Sequence, residues 1–203
     1  PADLSSFDSI WVIQLVPLTG VQQTALAAFV RAGGGLYLTG ERPCCEGVNA
    51  ANQSLLNNLT PDITQLGNQG EGDDLFTAVS GDTWSITTTP NAVPTWLAGQ
   101  AGLADMIPAM HQVYNHPDGK TGAAAWAGEE LNKGAGCVYL AMDLSWWFPA
   151  VHPEQDKSLL TENIQEFLGG CADSDNDGVT DVGEAAANTD PADPDSDNDG
   201  LCD

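Results

Sequence analysis

Positive charge is what this chain has least of. Five Lys and Arg face 29 Asp and Glu over 203 residues, a formal charge of −24. Holding a nucleic acid requires clustered cations that displace its counterions. Five scattered ones argue against a nucleic-acid partner, and equally against attraction to an anionic membrane surface. Long apolar runs are missing as well. No stretch approaches the roughly 18 apolar residues of a spanning helix, so no membrane insertion is expected. There is no signal peptide, and the first residue is Pro1 rather than Met. The last residue, Asp203, falls inside a motif described below. The expectation is a mature product or a piece of a longer protein, cut at both ends.

Cysteine is scarce and odd in number: Cys44, Cys45, Cys137, Cys171 and Cys202. An odd count leaves one thiol free or bonded outside this chain. Asn52-Gln53-Ser54 and Asn58-Leu59-Thr60 are glycosylation sequons, relevant only in a host that glycosylates.

Acid, by contrast, is abundant and patterned. Residues 173–184 read DSDNDGVTDVGE, and DSDNDG returns at 195–200, 22 residues later. Asp173, Asp175 and Asp177 stand at loop positions 1, 3 and 5, and Gly178 gives the sharp turn. Val179 offers a carbonyl at position 7, Asp181 stands at 9, and Glu184 closes at 12. That is the ligand spacing of a calcium loop, in which a hard cation gathers six to eight oxygens. Asp195, Asp197, Asp199 and the Leu201 carbonyl begin a second site. It has no closing acid of its own, so Asp190 or Asp193 is expected to reach across. With almost no apolar core, such a tail takes its order from the metal.

The stretch 173–203, with Asn188-Thr189-Asp190-Pro191 between its loops, resembles the bacterial thrombospondin type-3 repeat. Asn188 stands where that family has Gly, and Asn tolerates the left-handed conformation. The resemblance implies a calcium-filled, rod-like linker in a secreted or surface protein. A dockerin is not expected, since residues 185–194 are too short and Pro-rich for its helix.

Residues 1–170 hold 18 acids against the five cations and are long enough to bury a core. SIWVIQLV (9–16) reads as a strand buried on both faces. Thr19 and Gln22 form a capping box. Leu26, Phe29 and Val30 recur at helical spacing up to Gly33-Gly34-Gly35. Leu36–Gly40 is a second short strand, completing a parallel βαβ unit. Residues 51–59 read as helix. Residues 83–88, 111–115 and 122–127 read as weaker strands. Residues 136–142 form a strong strand, hairpinned to 122–127 across Asn132-Lys133-Gly134. Leu159, Leu160, Ile164, Phe167 and Leu168 mark a closing helix. The expected fold is an α/β three-layer sandwich with a mainly parallel sheet plus an antiparallel extension, followed by a calcium-bound irregular rod. The boundary falls between 1–170 and 171–203.

The segments SSFDSIWVIQLV, LAAFVRAGGGLYLTGE and GCVYLAMDLSWWF make the body resemble the class I glutamine-amidotransferase-like, flavodoxin-type superfamily. That resemblance implies one more strand and helix ahead of position 5, absent here, and hence an open sheet edge. It also implies a nucleophilic Cys in a strand-to-helix elbow. Here Glu41 takes the elbow position, Pro43 intervenes, and Cys44 and Cys45 come three and four residues late. His152-Pro153-Glu154 is the available His–Glu pair. An offset of this size destroys a catalytic arrangement, so no catalysis is expected.

Geometry allows a Cys137–Cys171 bridge, because the closing helix returns to the edge where strand 136–142 begins. Cys44 and Cys45 lie at the opposite edge and pair with each other or outside the chain. Cys202 pairs beyond Asp203 or with Cys171. His111 and His116 are expected at the surface, and Trp146-Trp147-Phe148 as an aromatic plug over the sheet edge. The resulting expectation is a non-catalytic extracellular, calcium-binding structural or adhesive module, a subunit of a surface fibre in its sharpest form. Its partner is a homopolymer or another surface protein at the open sheet edge. The alternatives are a secreted Cys-dependent hydrolase with a calcium tail and a carbohydrate-binding module using the tryptophans.

Overall fold

The computed structural model describes residues 3–62, 64–72, 75–97, 101–132, 136–144, 147 and 157–171. In the acidic tail it describes 188–190, 193, 195 and 196. The chain opens with β1 (Ser9–Val12), α1 (Gly20–Arg31) and β2 (Gly35–Thr39). The capping box is formed: the Gln22 amide donates to Thr19 Oγ1 at 3.3 Å, and the Thr19 amide to Gln22 Oε1 at 2.9 Å. β1 and β2 are parallel, with Ile10 opposite Leu36 and Val12 opposite Leu38. α2 (Glu46–Leu59) follows, then β3 (Gln65–Gly72), β4 (Leu75–Ala78), β5 (Thr95–Leu97) and β6 (Ala101–Asp105). β7 (Gln112–Asn115), β8 (Thr121–Ala127), β9 (Cys137–Ala141) and α3 (Lys157–Gly169) complete the fold.

One sheet runs β1-β2-β9-β8-β7-β4-β5, with β6 joining β8 and β3 joining β6. β2 pairs with β9 in parallel, Tyr37 opposite Tyr139. The expected hairpin is present, β8 antiparallel to β9 with Ala125 opposite Tyr139. The remaining pairings are antiparallel too. The fold is therefore α/β, but its sheet is mixed and mostly antiparallel, not mainly parallel as the sequence suggested. Parallel strands need a crossover, usually helical. Only the first part of the chain and α3 supply α-helices; between β3 and β9 the described residues hold no α-helix to make such a crossover, and every pairing there is antiparallel.

Other local expectations need correction. β1 stops at Val12, and Ile13, Leu15 and Val16 are exposed. The apolar run 9–16 suggested full burial, but β1 is the terminal strand of the sheet. Residues 83–88 are not a strand. The buried Asp82 carboxylate accepts from the amides of Ile86 and Thr87 at 2.9 and 3.1 Å, and from Thr87 Oγ1 at 2.6 Å. An acid that captures the amides following it competes with strand pairing. α2 begins five residues before the apolar pattern of 51–59, because its first turns bury Val48 and the amides Asn49 and Asn52.

Helices cover both faces. α1 and α2 pack Phe29, Val30, Leu55, Leu56 and Leu59 against Leu36, Leu38, Val138 and Leu140. α3 packs Leu160, Ile164 and Leu168 against Tyr37, Tyr139 and Ala125 on the opposite face. A Cβ on Gly35 would collide with the backbone carbonyl of Leu168, so glycine there lets α3 approach the sheet.

Cys137, at the start of β9, is disulfide-bonded to Cys171, just beyond α3, with Cα atoms 5.8 Å apart. The bridge joins positions 34 residues apart in sequence. A loop of that length constrains the unfolded chain by about 3–4 kcal/mol. Cys137→Ala should lower unfolding stability by about that amount. Urea denaturation checks it, and a loss below about 1 kcal/mol would contradict it.

Candidate functional site

The parallel strands β2 and β9 end at a common edge, where α/β sheets place their ligands. After β2 the chain reads Gly40-Glu41-Arg42, then a 3₁₀ turn Pro43–Cys45 leads into α2. Asn49, one turn into α2, locks this corner. Its Nδ2 donates to the Glu41 carbonyl at 2.7 Å, and its Oδ1 accepts from the Glu41 amide at 2.9 Å. Asn52 donates to the Thr39 carbonyl at 2.8 Å. A Cβ on Gly102 would strike the Glu41 carbonyl, so β6 also closes tightly on the corner.

Glu41 therefore sits at the elbow position as a structural residue, 8% exposed. Its Oε1 accepts from the Arg42 amide at 2.8 Å. Burial raises its pKa above the ordinary carboxylate value, the Arg42 amide works against that, and the nearby Asp143 charge adds to it. Asp143, just beyond β9, is wholly buried. Lys157, at the start of α3, has its pKa lowered by burial, with Asp143 opposing. Sequence reasoning missed Asp143. The signal available was its place at the exit of a strand buried on both faces.

Cys44 and Cys45 lie beside Glu41 with their Sγ atoms 2.7 Å apart, and both are free thiols. The Arg42 Nε–H donates to Cys44 Sγ at 3.4 Å. The Cys45 pKa is pushed up to about 11, first by its hydrogen bond with Cys44, then by burial and the Glu41 charge. His152 and Glu154 lie outside the described residues, as do Trp146 and Phe148. Trp147 is engaged in packing. Its ring meets Trp11 and Tyr37 edge-on at 5.6 Å, and its Nε1–H donates to the Tyr37 hydroxyl at 3.1 Å.

His111 is not at the surface. It is 5% exposed and stacked on Trp126 with ring centroids 5.7 Å apart. Its Nε2 is 3.3 Å from Asp62 Oδ2, which also accepts from Trp126 Nε1 at 2.9 Å. Its Nδ1 is 3.1 Å from Glu130 Oε2, a close contact without hydrogen-bond alignment. The 3₁₀ turn Ala109–His111 tucks the ring under β8, a tertiary placement that its neighbours in sequence do not encode. His116 is partly buried and pairs with Asp118 at 2.8 Å. Among the described residues, no group of three His, Cys, Asp or Glu could hold a metal.

Of the calcium positions, Asp173, Asp175, Asp177, Val179, Asp181, Glu184, Asp197, Asp199 and Leu201 lie outside the described residues. Asp190, Asp193 and Asp195 are described. Asn188 adopts φ 65°, the left-handed conformation expected of an Asn in a Gly position. The Asp193 amide then donates to the Asp190 carbonyl at 2.8 Å, and the Asp190 amide to Ser196 Oγ at 2.7 Å.

Among solved structures, the mmIFT52 N-terminal domain is similar, with a TM-score of 0.64 at 11% identity. The match covers 82% of this chain and 79% of that one. At such identity the likeness concerns fold alone. No family model matches the sequence, and no curated protein does. The amidotransferase-like assignment is therefore corrected. The structural neighbour is a different fold, and the sheet is mostly antiparallel. The short βαβ segments that carried the resemblance are common to many α/β folds. The thrombospondin type-3 resemblance likewise has no matching family model. No helix among the described residues is long and apolar enough to cross a membrane.

The buried Glu41 yields a pH prediction. Its folded pKa is raised, so the folded chain binds that proton more tightly than the unfolded chain. The ionised carboxylate then costs stability once pH rises above the unfolded value of about 4.3. Glu41→Gln removes that cost and keeps an oxygen for the Arg42 amide. Relative to wild type, the variant should gain stability from pH 4 to pH 7 in urea denaturation. A relative loss over that interval would contradict the burial argument.

Proposed function

We propose that this chain is a non-catalytic extracellular module that binds calcium through its acidic tail and serves a structural or adhesive role. The observation that carries the reading is the doubled DSDNDG spacing, with its oxygen-only donors and closing Glu184. Asp173, Asp175, Asp177, the Val179 carbonyl, Asp181 and Glu184 hold one ion. Asp195, Asp197, Asp199 and the Leu201 carbonyl, joined by Asp190 or Asp193, hold another. What the cation supplies is charge neutralisation and cross-linking of a segment too acidic to compact by itself.

Two further observations support this reading. The Cys137–Cys171 disulfide suits an oxidising compartment. β1 ends the sheet, and the apolar Ile13, Leu15 and Val16 continue from it into solvent. Such an edge accepts an added strand; a second copy there would build the fibre.

Titration calorimetry of the full chain with calcium chloride tests the reading. Saturable binding should appear, and Asp175→Ala together with Glu184→Ala should abolish the first site while leaving the second. Absence of binding by the wild-type chain would overturn it. Sedimentation with and without calcium tests the fibre. A chain that stays monomeric in both would remove the assembly part alone.

A further inference from the structure

The pair Cys44–Cys45 has chemistry that a structural or calcium-binding role does not use. Both thiols are free, Cys44 is exposed, and Cys45 is half-buried. Their Sγ atoms are 2.7 Å apart, closer than unbonded sulfurs normally settle and not far above the roughly 2.05 Å of a disulfide bond. The chain places them in a 3₁₀ turn with Cys45 as the N-cap of α2. Arg42 sets a cation over Cys44 Sγ.

We propose that Cys44 and Cys45 form a redox-active vicinal pair, cycling between a dithiol and a disulfide closed within one dipeptide. The oxidant is a small-molecule disulfide of the glutathione class. The Cys44 thiolate, exposed and next to the Arg42 guanidinium, attacks one sulfur of the oxidant. A mixed disulfide forms and one oxidant thiolate leaves. Cys45 then gives its proton to that thiolate and attacks Cys44 Sγ, expelling the second oxidant thiolate, which takes up the proton Cys44 had lost to solvent. Two protein thiols and one oxidant disulfide become one protein disulfide and two small thiols. Cys45 is the resolving partner because it is half-buried at the N-cap of α2, whereas Cys44 is exposed to the oxidant beside Arg42.

Two disulfides of opposite character then share this fold. Cys137–Cys171 spans Cα atoms 5.8 Å apart, within the usual range of about 4.4–6.8 Å. Adjacent residues stand only about 3.8 Å apart across a trans peptide, below that range. Strained or exposed disulfides are the more easily reduced ones, so the dipeptide bond opens while the Cys137–Cys171 bond persists. Closure acts on the N-cap of α2, the helix that carries Asn49 and Asn52 against the Glu41 corner.

Equilibration of the full chain in a series of oxidised and reduced glutathione mixtures tests this. Samples are quenched with N-ethylmaleimide and mapped by peptide mass spectrometry. In the oxidising mixtures, the peptide holding both residues should lose two hydrogens and carry no maleimide. It should reopen at a less reducing ratio than Cys137–Cys171. The proposal is overturned if Cys44 and Cys45 stay alkylated throughout, or if either links instead to another cysteine or chain. Cys45→Ser should accumulate a glutathione adduct on Cys44, and Cys44→Ser far less on Cys45. Equal adducts in the two variants would overturn the assignment of Cys44 as the attacking thiol.

Discussion

Strand β9 is the constraint on which the rest of the structure depends. It is buried along its whole length and joins the parallel part of the sheet to the antiparallel part, through β2 on one side and β8 on the other. Such a strand must be apolar on both faces, and CVYLA is. Its first residue anchors α3 through the Cys137–Cys171 bridge. Its exit delivers Asp143 to the edge where Glu41, Arg42 and the two vicinal thiols meet. A substitution in the middle of β9 would therefore disturb both cores, the disulfide and the sheet-edge corner together.

The parts of the fold that were legible in the sequence are those with strong local signals. The Thr19 and Gln22 box, the Leu26–Val30 spacing and the glycines after it define α1 and its flanking strands. The hairpin of β8 with β9 and the helix through Leu160, Ile164 and Leu168 follow from apolar periodicity. The strands β3 to β6 were not legible, since QLGNQGEG, TWL and AGLAD carry no two-residue alternation. Long-range pairing, not local preference, makes them strands. Asp82 hid another feature: three hydrogen bonds to its carboxylate turn an alternating segment into a buried turn.

The candidate sites divide in the same way. The proposed calcium loops are readable because their ligand spacing lies in consecutive residues, and Asn188, where the resembled repeat has Gly, adopts the left-handed conformation that Asn tolerates. The Cys137–Cys171 bridge was readable from strand and helix order. The burial of His111 between Asp62 and Glu130 was not, because its partners come from 49 positions before it and 19 after it. Nor was the approach of Glu41 to Asp143, which requires knowing that β2 and β9 are neighbours. The amidotransferase-like reading failed for a related reason: two strands and a helix in order do not specify which strands fill the remainder of the sheet.

Charge links the two ends of the account. A body and tail that are both acidic repel one another unless a cation intervenes, so metal and order in residues 173–203 should rise together. Amide hydrogen exchange on the full chain, with calcium and with a chelator, tests this most directly. The account predicts that calcium slows exchange across 173–203 while β2, β8 and β9 exchange at the same rates in both conditions. Identical exchange in the tail under the two conditions, or loss of protection throughout the sheet on chelation, would contradict it.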